Sequence, residues 1–61
     1  MNQIISDHDV ALAMRSMGGS FATRLAECWL FADDQNRARI LVAFPDLWAQ
    51  YRELAELKAT A

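Results

Sequence analysis

Arg15-Ser16-Met17-Gly18-Gly19-Ser20-Phe21 is the stretch whose reading decides the fold of this chain. Two adjacent glycines inside a helix cost about 2 kcal/mol relative to alanine. A local reading therefore ends one helix here and starts another, with Ser20 as its cap. The periodicity opposes that reading. Val10, Met14, Met17, Phe21, Leu25, Cys28 and Ala32 follow one another at spacings of 4, 3, 4, 4, 3 and 4. At about 100° per residue they stay within about 80° of arc, and a true break is expected to reset that phase. The pattern predicts one long helix over about residues 7–32, with any bend at Gly18-Gly19 and the two-helix version as the alternative. Gly18 lies beside the apolar face with Ala11 and Ala22, where small side chains let another backbone approach closely.

Upstream of this stretch, Ser6 is a good N-cap, and Asp9 stands three residues on, as in a capping box. Asp7 and Asp9 also suit the positive end of a helix dipole. Downstream, Asp33-Asp34 offers a stop and a restart. A second helix is predicted over about residues 35–44, carrying Ile40, Leu41 and Phe44 inward. Proline disfavours helical backbone in the residue before it and suits a first helical turn, so Pro45 starts a third helix over about residues 45–58. There Leu47, Tyr51 and Leu54 recur at i, i+4 and i+7, with Glu53, Glu56 and Lys58 on the solvated side. The fold class is all-α: one long helix and two shorter ones in a single domain spanning residues 1–61.

A chain of 61 residues buries little of its surface on folding, only about 60% by size alone. Small domains compensate with disulfides, a metal or a partner chain. Cys28 and His8 are the one cysteine and the one histidine, so neither an internal disulfide nor a closed zinc site is available. A partner chain is the remaining route, and the helical bundle is expected to be completed by self-association. On the long helix the polar strip of Asp9, Ser16, Ser20, Thr23 and Glu27 covers only about 60° of arc. Leu12, Ala26, Leu30 and Phe31 fall outside the main apolar stripe and are the expected self-association interface, with a two-fold dimer as the default. Trp48 flanks the stripe of its helix and is the candidate partner surface.

The net charge of −2 is split evenly: three acids and two bases in residues 1–30, five acids and four bases in residues 31–61. Neither half is a basic footprint, which argues against nucleic acid as a partner. The start of the chain lacks the pattern of a secretory signal, and the longest wholly apolar runs, such as Ile40 to Phe44, are far too short for a membrane span. A lone thiol fits a reducing cytoplasm. Asp33 and Asp34 read as helix caps and not as a metal site, which needs several converging oxygens. Cys28, in the phase of Met14, Phe21 and Leu25, reads as a buried apolar group. His8 reads as a solvated residue with no nucleophile beside it. The residues supply no base, nucleophile and oxyanion donor together, so no catalytic residue, metal ligand or cofactor is assigned and the chain is read as non-enzymatic. A nucleotide pocket built from Arg37 or Arg39 with Tyr51 or Arg52 is the alternative binding reading.

The run Phe31-Ala32-Asp33-Asp34-Gln35-Asn36-Arg37-Ala38-Arg39-Ile40, followed by Ala43-Phe44-Pro45-Asp46-Leu47-Trp48 and Tyr51, resembles short proteins of tailed bacteriophages and prophages, a small helical family of unknown function. Arg15 to Phe21 adds to the likeness, which covers about half of the chain. The resemblance implies a phage or prophage origin and the cytoplasm of a bacterial host. It transfers no functional residues. Such proteins often act by binding a host protein, host-defence components included. The expected function is a homo-oligomeric interaction protein that modulates or inhibits a host protein. The alternatives are a sequestering protein for a nucleotide signal and a helix-turn-helix-like DNA-binding regulator.

Overall fold

The computed structural model describes residues 4–60. They form four helices with no strand among them: α1 (Asp7–Met17), α2 (Ser20–Phe31), α3 (Asp34–Ala43) and α4 (Pro45–Thr60).

The expected long helix is broken at the glycines. Gly18 (φ −81°, ψ 162°) and Gly19 (φ −75°, ψ −170°) are both extended. Neither has a positive φ, so glycine is not required here for a left-handed backbone. At position 18 it is required for space. A Cβ on Gly18 would lie 2.5 Å from the Met14 carbonyl oxygen and 2.6 Å from the Ala22 Cβ, whereas one on Gly19 would meet nothing within 4 Å. The helix cost of two glycines is relieved by breaking, and the break lets α2 fold back to pack on α1. Gly19, not Ser20, is the N-cap of α2, and it makes no side-chain cap bond.

Thr23 holds the corner. Its backbone N–H donates to the Gly19 carbonyl at 2.9 Å. Its hydroxyl donates to the Gly18 carbonyl at 3.2 Å and lies 3.4 Å from that of Arg15. Carbonyls at a helix C-terminus lack intrahelical donors, so this side chain satisfies groups that the break would otherwise leave open.

The other helix boundaries follow the local chemistry. Ser6 and Asp9 form the reciprocal capping box of α1, with Asp9 N to Ser6 Oγ at 3.1 Å and Ser6 N to Asp9 Oδ2 at 3.2 Å. Asp33 caps α3 by accepting from the Asn36 N–H at 2.8 Å. Phe44 interrupts the helix before Pro45, as the proline predicts. Asp33→Ala should cost about 1 kcal/mol. Thermal unfolding followed by circular dichroism should then show a midpoint about 4–8 °C lower.

α1 lies at the centre, packed on α2 along one side and on α4 along another, while α3 bridges α2 and α4. The core comprises Val10, Ala11 and Met14 from α1, Ala22, Ala26 and Trp29 from α2, and Trp48 and Tyr51 from α4. α3 contributes no fully buried residue; Ile40 and Leu41 rest against the core from outside.

The break changes which face of α2 is inside. Ala22, Ala26 and Trp29 point inward, a face about 100° away from the one continued by the Val10–Met14 phase. The expected core residues Met17 and Phe21 are instead 44% and 61% exposed, and Cys28, expected to be buried, is exposed. Ala22 and Ala26 are small enough to let α2 approach α1 closely, and Trp29 then fills the space against α4. The apolar stripe read through the glycines is therefore core at Val10 and Met14 and mostly surface from Met17 on, with Leu25 half-buried.

Candidate interaction surface

The exposed edge of α2 carries Phe21, Arg24, Cys28 and Phe31, at spacings of 3, 4 and 3. These are the spacings of the a and d positions of a coiled coil, and they place all four side chains within about 80° of arc. Phe31 is 90% exposed. Phe21 is held edge-on by Phe44, with ring centroids 5.6 Å apart and planes at 61°. Arg24 and Glu27 form an ion pair at 2.9 Å across one flank of the edge. Half-buried Leu25 occupies the other flank.

The four residues expected to form the interface are scattered by the fold. Ala26 is fully buried against this chain's own core, which corrects its assignment to an intersubunit contact. Leu30 is partly buried on the same inner side of α2. Leu12 lies in a separate hollow of about 490 Å³ between α1 and the end of α4, with Ile5, Ala13 and Ala55 on its apolar side and Arg15 and Lys58 on its polar side. Phe31 alone of the four is fully presented to solvent. Phe21, expected in the core because its helical phase matched that of α1, is the other large aromatic exposed on this edge.

Trp48 is likewise corrected. It is 95% buried, not a partner surface. It packs against Trp29 with ring centroids 5.4 Å apart, and its Nε1 donates to Asp7 Oδ1 at 3.1 Å. One turn on, Arg52 donates to the same Asp7 oxygen at 2.5 Å and to the Ile5 carbonyl. Asp7 thus ties the start of α1 to the middle of α4. The Arg52–Asp7 pair is more than a third exposed on both sides, so solvent screening keeps its own contribution small.

The residues of the alternative ligand pocket are held apart in structural roles. Arg37 donates from Nε to the Trp29 carbonyl and from Nη2 to the Leu30 carbonyl, both at 3.0 Å, and its guanidinium lies 4.3 Å above the Trp29 ring. It therefore caps the C-terminal end of α2 and pins α3 there, combining charge-assisted hydrogen bonds with a cation–π contact. Arg39 pairs with Asn36 of its own helix at 3.2 Å, Tyr51 is buried in the core and Arg52 belongs to the Asp7 tie.

Among the described residues no three His, Cys, Asp or Glu side chains converge as a metal site, and no helix is long and apolar enough to cross a membrane. Trp29 Nε1 is a buried donor with no hydrogen-bond partner. Its indole is held by packing against Trp48 and Arg37. The chain matches no protein-family model, no characterised protein and no solved structure.

Proposed function

We propose that this chain is a non-enzymatic, homo-oligomeric interaction protein that works through the exposed edge of α2. One observation carries the reading: Phe21 and Phe31, two large aromatic side chains on one helix edge, are 61% and 90% exposed. An aromatic side chain offers about 150–250 Å² for burial, so these two rings leave about 300 Å² open to water. Two exposed aromatic side chains on one helix edge, at either end of the exposed Arg24 and Cys28, offer anchors for association, and aromatic residues are enriched among those that dominate binding energy. The resemblance to phage proteins supports a host protein as a further partner, and modulation of that protein as the biological role. The nucleotide-sequestering and DNA-binding alternatives draw no comparable support, because Arg37 and Arg52 are engaged within the chain and the net charge is negative.

Phe31→Glu separates association from folding. Its side chain touches solvent over nearly its whole surface, so the isolated chain should keep its helical circular dichroism and its melting midpoint at low concentration. The wild-type protein should sediment as an oligomer at high micromolar concentration, and Phe31→Glu should sediment as a monomer. A monomeric wild type across that range would overturn the self-association reading. An oligomer that Phe31→Glu leaves intact would place the interface elsewhere.

A further inference from the structure

We infer that two copies of this chain pair α2 against α2 in antiparallel orientation, about a two-fold axis that crosses the exposed edge midway between Arg24 and Cys28. The inference rests on the self-association reading above and adds the partner's register. A two-fold contact must be self-complementary: if residue i meets residue j of the second copy, then j meets i. In an antiparallel pair of helices an a-type position of one faces a d-type position of the other. The edge of α2 meets both conditions in one register. Phe21 faces Phe31 of the second copy and Arg24 faces Cys28 of the second copy, so both pairs are symmetric about the level of Ala26.

The charges fit that register. With the axis at this level, Glu27 of one copy faces Glu27 of the other on one flank, and Arg24 of each copy comes alongside this pair and neutralises it. The Arg24–Glu27 pair within each chain, at 2.9 Å, then becomes one half of a ring of two arginines and two glutamates with no net charge. On the other flank Leu25 faces Leu25 of the second copy, an apolar contact for a residue that the single chain leaves half-buried. Aromatic pairs therefore close both ends of the contact and opposite charges occupy its centre. A parallel pairing would instead bring Arg24 against Arg24, like charges in the middle of the seam, which is unfavourable. The 12 residues of α2 span about 18 Å. One such helix from each copy is less than the roughly 20–30 residues a side of a standard interface, so the contact is a weak one and its assembly is sought at high micromolar concentration.

The native cysteine makes the register testable, because no other thiol is present. In the antiparallel register the two Cys28 Cα atoms lie about 9 Å apart, beyond the reach of a disulfide. Position 24 of one copy and Cys28 of the other lie directly across the seam. The experiment mixes wild-type protein with an affinity-tagged Arg24→Cys/Cys28→Ser variant at high micromolar concentration, under copper–phenanthroline oxidation. The expected result is a disulfide-linked heterodimer in the mixture, little or no linked dimer from either protein alone, and loss of the link when Phe31→Glu is added to both chains. In the wild type, thiol labelling at Cys28 should also slow as concentration rises.

Ready linkage of the wild type to itself would show a register with Cys28 against Cys28. That would overturn this inference while leaving self-association intact. A dimer by sedimentation that links in no combination would likewise overturn the register alone. Absence of both linkage and dimer would remove the inference and the reading beneath it.

Discussion

Trp48→Ala should leave the chain largely unfolded at room temperature. Truncating a buried tryptophan costs about 3–5 kcal/mol, against a total stability of about 5 kcal/mol for a domain of this size. Trp48 is 5% exposed and packs against Trp29, the largest core side chain of α2. The change would open a cavity where α2 and α4 meet and remove the indole donor to Asp7. α4 would then be left with Tyr51, Ala55, the partly buried Leu47 and Leu54 and the partly exposed Asp7–Arg52 pair to hold it on the core. Far-UV circular dichroism should show loss of most helical signal, and guanidinium titration should show no cooperative transition. Trp48→Phe keeps a ring in the site and should fall between the two. A surface tryptophan would behave otherwise: its replacement by alanine would move the midpoint by little. A Trp48→Ala protein that melts cooperatively within a few degrees of wild type would show that the core is not built around this residue.

Gly18→Ala and Gly19→Ala should differ sharply although the two residues are neighbours with similar backbone angles. Both φ values are negative and ordinary for alanine. The difference is steric. At Gly18 the new methyl would sit 2.5 Å from the backbone oxygen of Met14 and 2.6 Å from the Ala22 Cβ, with the Tyr51 hydroxyl at 3.2 Å. The first two are backbone and a Cβ, which cannot rotate away, so the end of α1 and the start of α2 must both shift. Forcing one extra carbon into a packed site typically costs about 1–3 kcal/mol. In a domain this small that corresponds to a fall in melting midpoint of at least about 4–8 °C, and of several times that at the upper end. Gly19→Ala meets nothing within 4 Å. It reduces the freedom of the unfolded chain, a gain of about 0.4–1 kcal/mol, but alanine is a poorer N-cap than glycine, so the two effects offset and the variant should stay close to wild type. Thermal melts of the two variants side by side decide the matter. Equal midpoints would mean that the corner is not closely packed, and a stabilised Gly18→Ala would favour the continuous helix that the periodicity suggests.

Helix content and most helix ends were legible in the residues themselves. The Ser6–Asp9 box, the Asp33 cap and the stop at Phe44-Pro45 depend on partners three or four positions apart, and such contacts form wherever the local chain turns helical. The break at Gly18-Gly19 was visible too, as a cost of about 2 kcal/mol, but the apolar phase from Val10 to Ala32 outweighed it in the reading. That phase misled because α2 carries two apolar faces. Phe21, Leu25 and Cys28 continue the stripe of α1, while Ala22, Ala26 and Trp29 form another, and periodicity does not rank them. Volume and crossing geometry do: Gly18, Ala22 and Ala26 permit close approach to α1, where Phe21 would hold the helices apart.

The roles of the long polar side chains were equally beyond local reading. Trp48 and Arg52 find Asp7 across 41 and 45 residues of chain, and Arg37 finds carbonyls of α2 that are free only because that helix ends at Phe31. The residues alone determined that the chain is helical and where most of its helices are capped, because those choices are made over a single turn. The tertiary structure decided which face of α2 is core and which is surface, because that choice depends on how closely two helices can pass at one glycine.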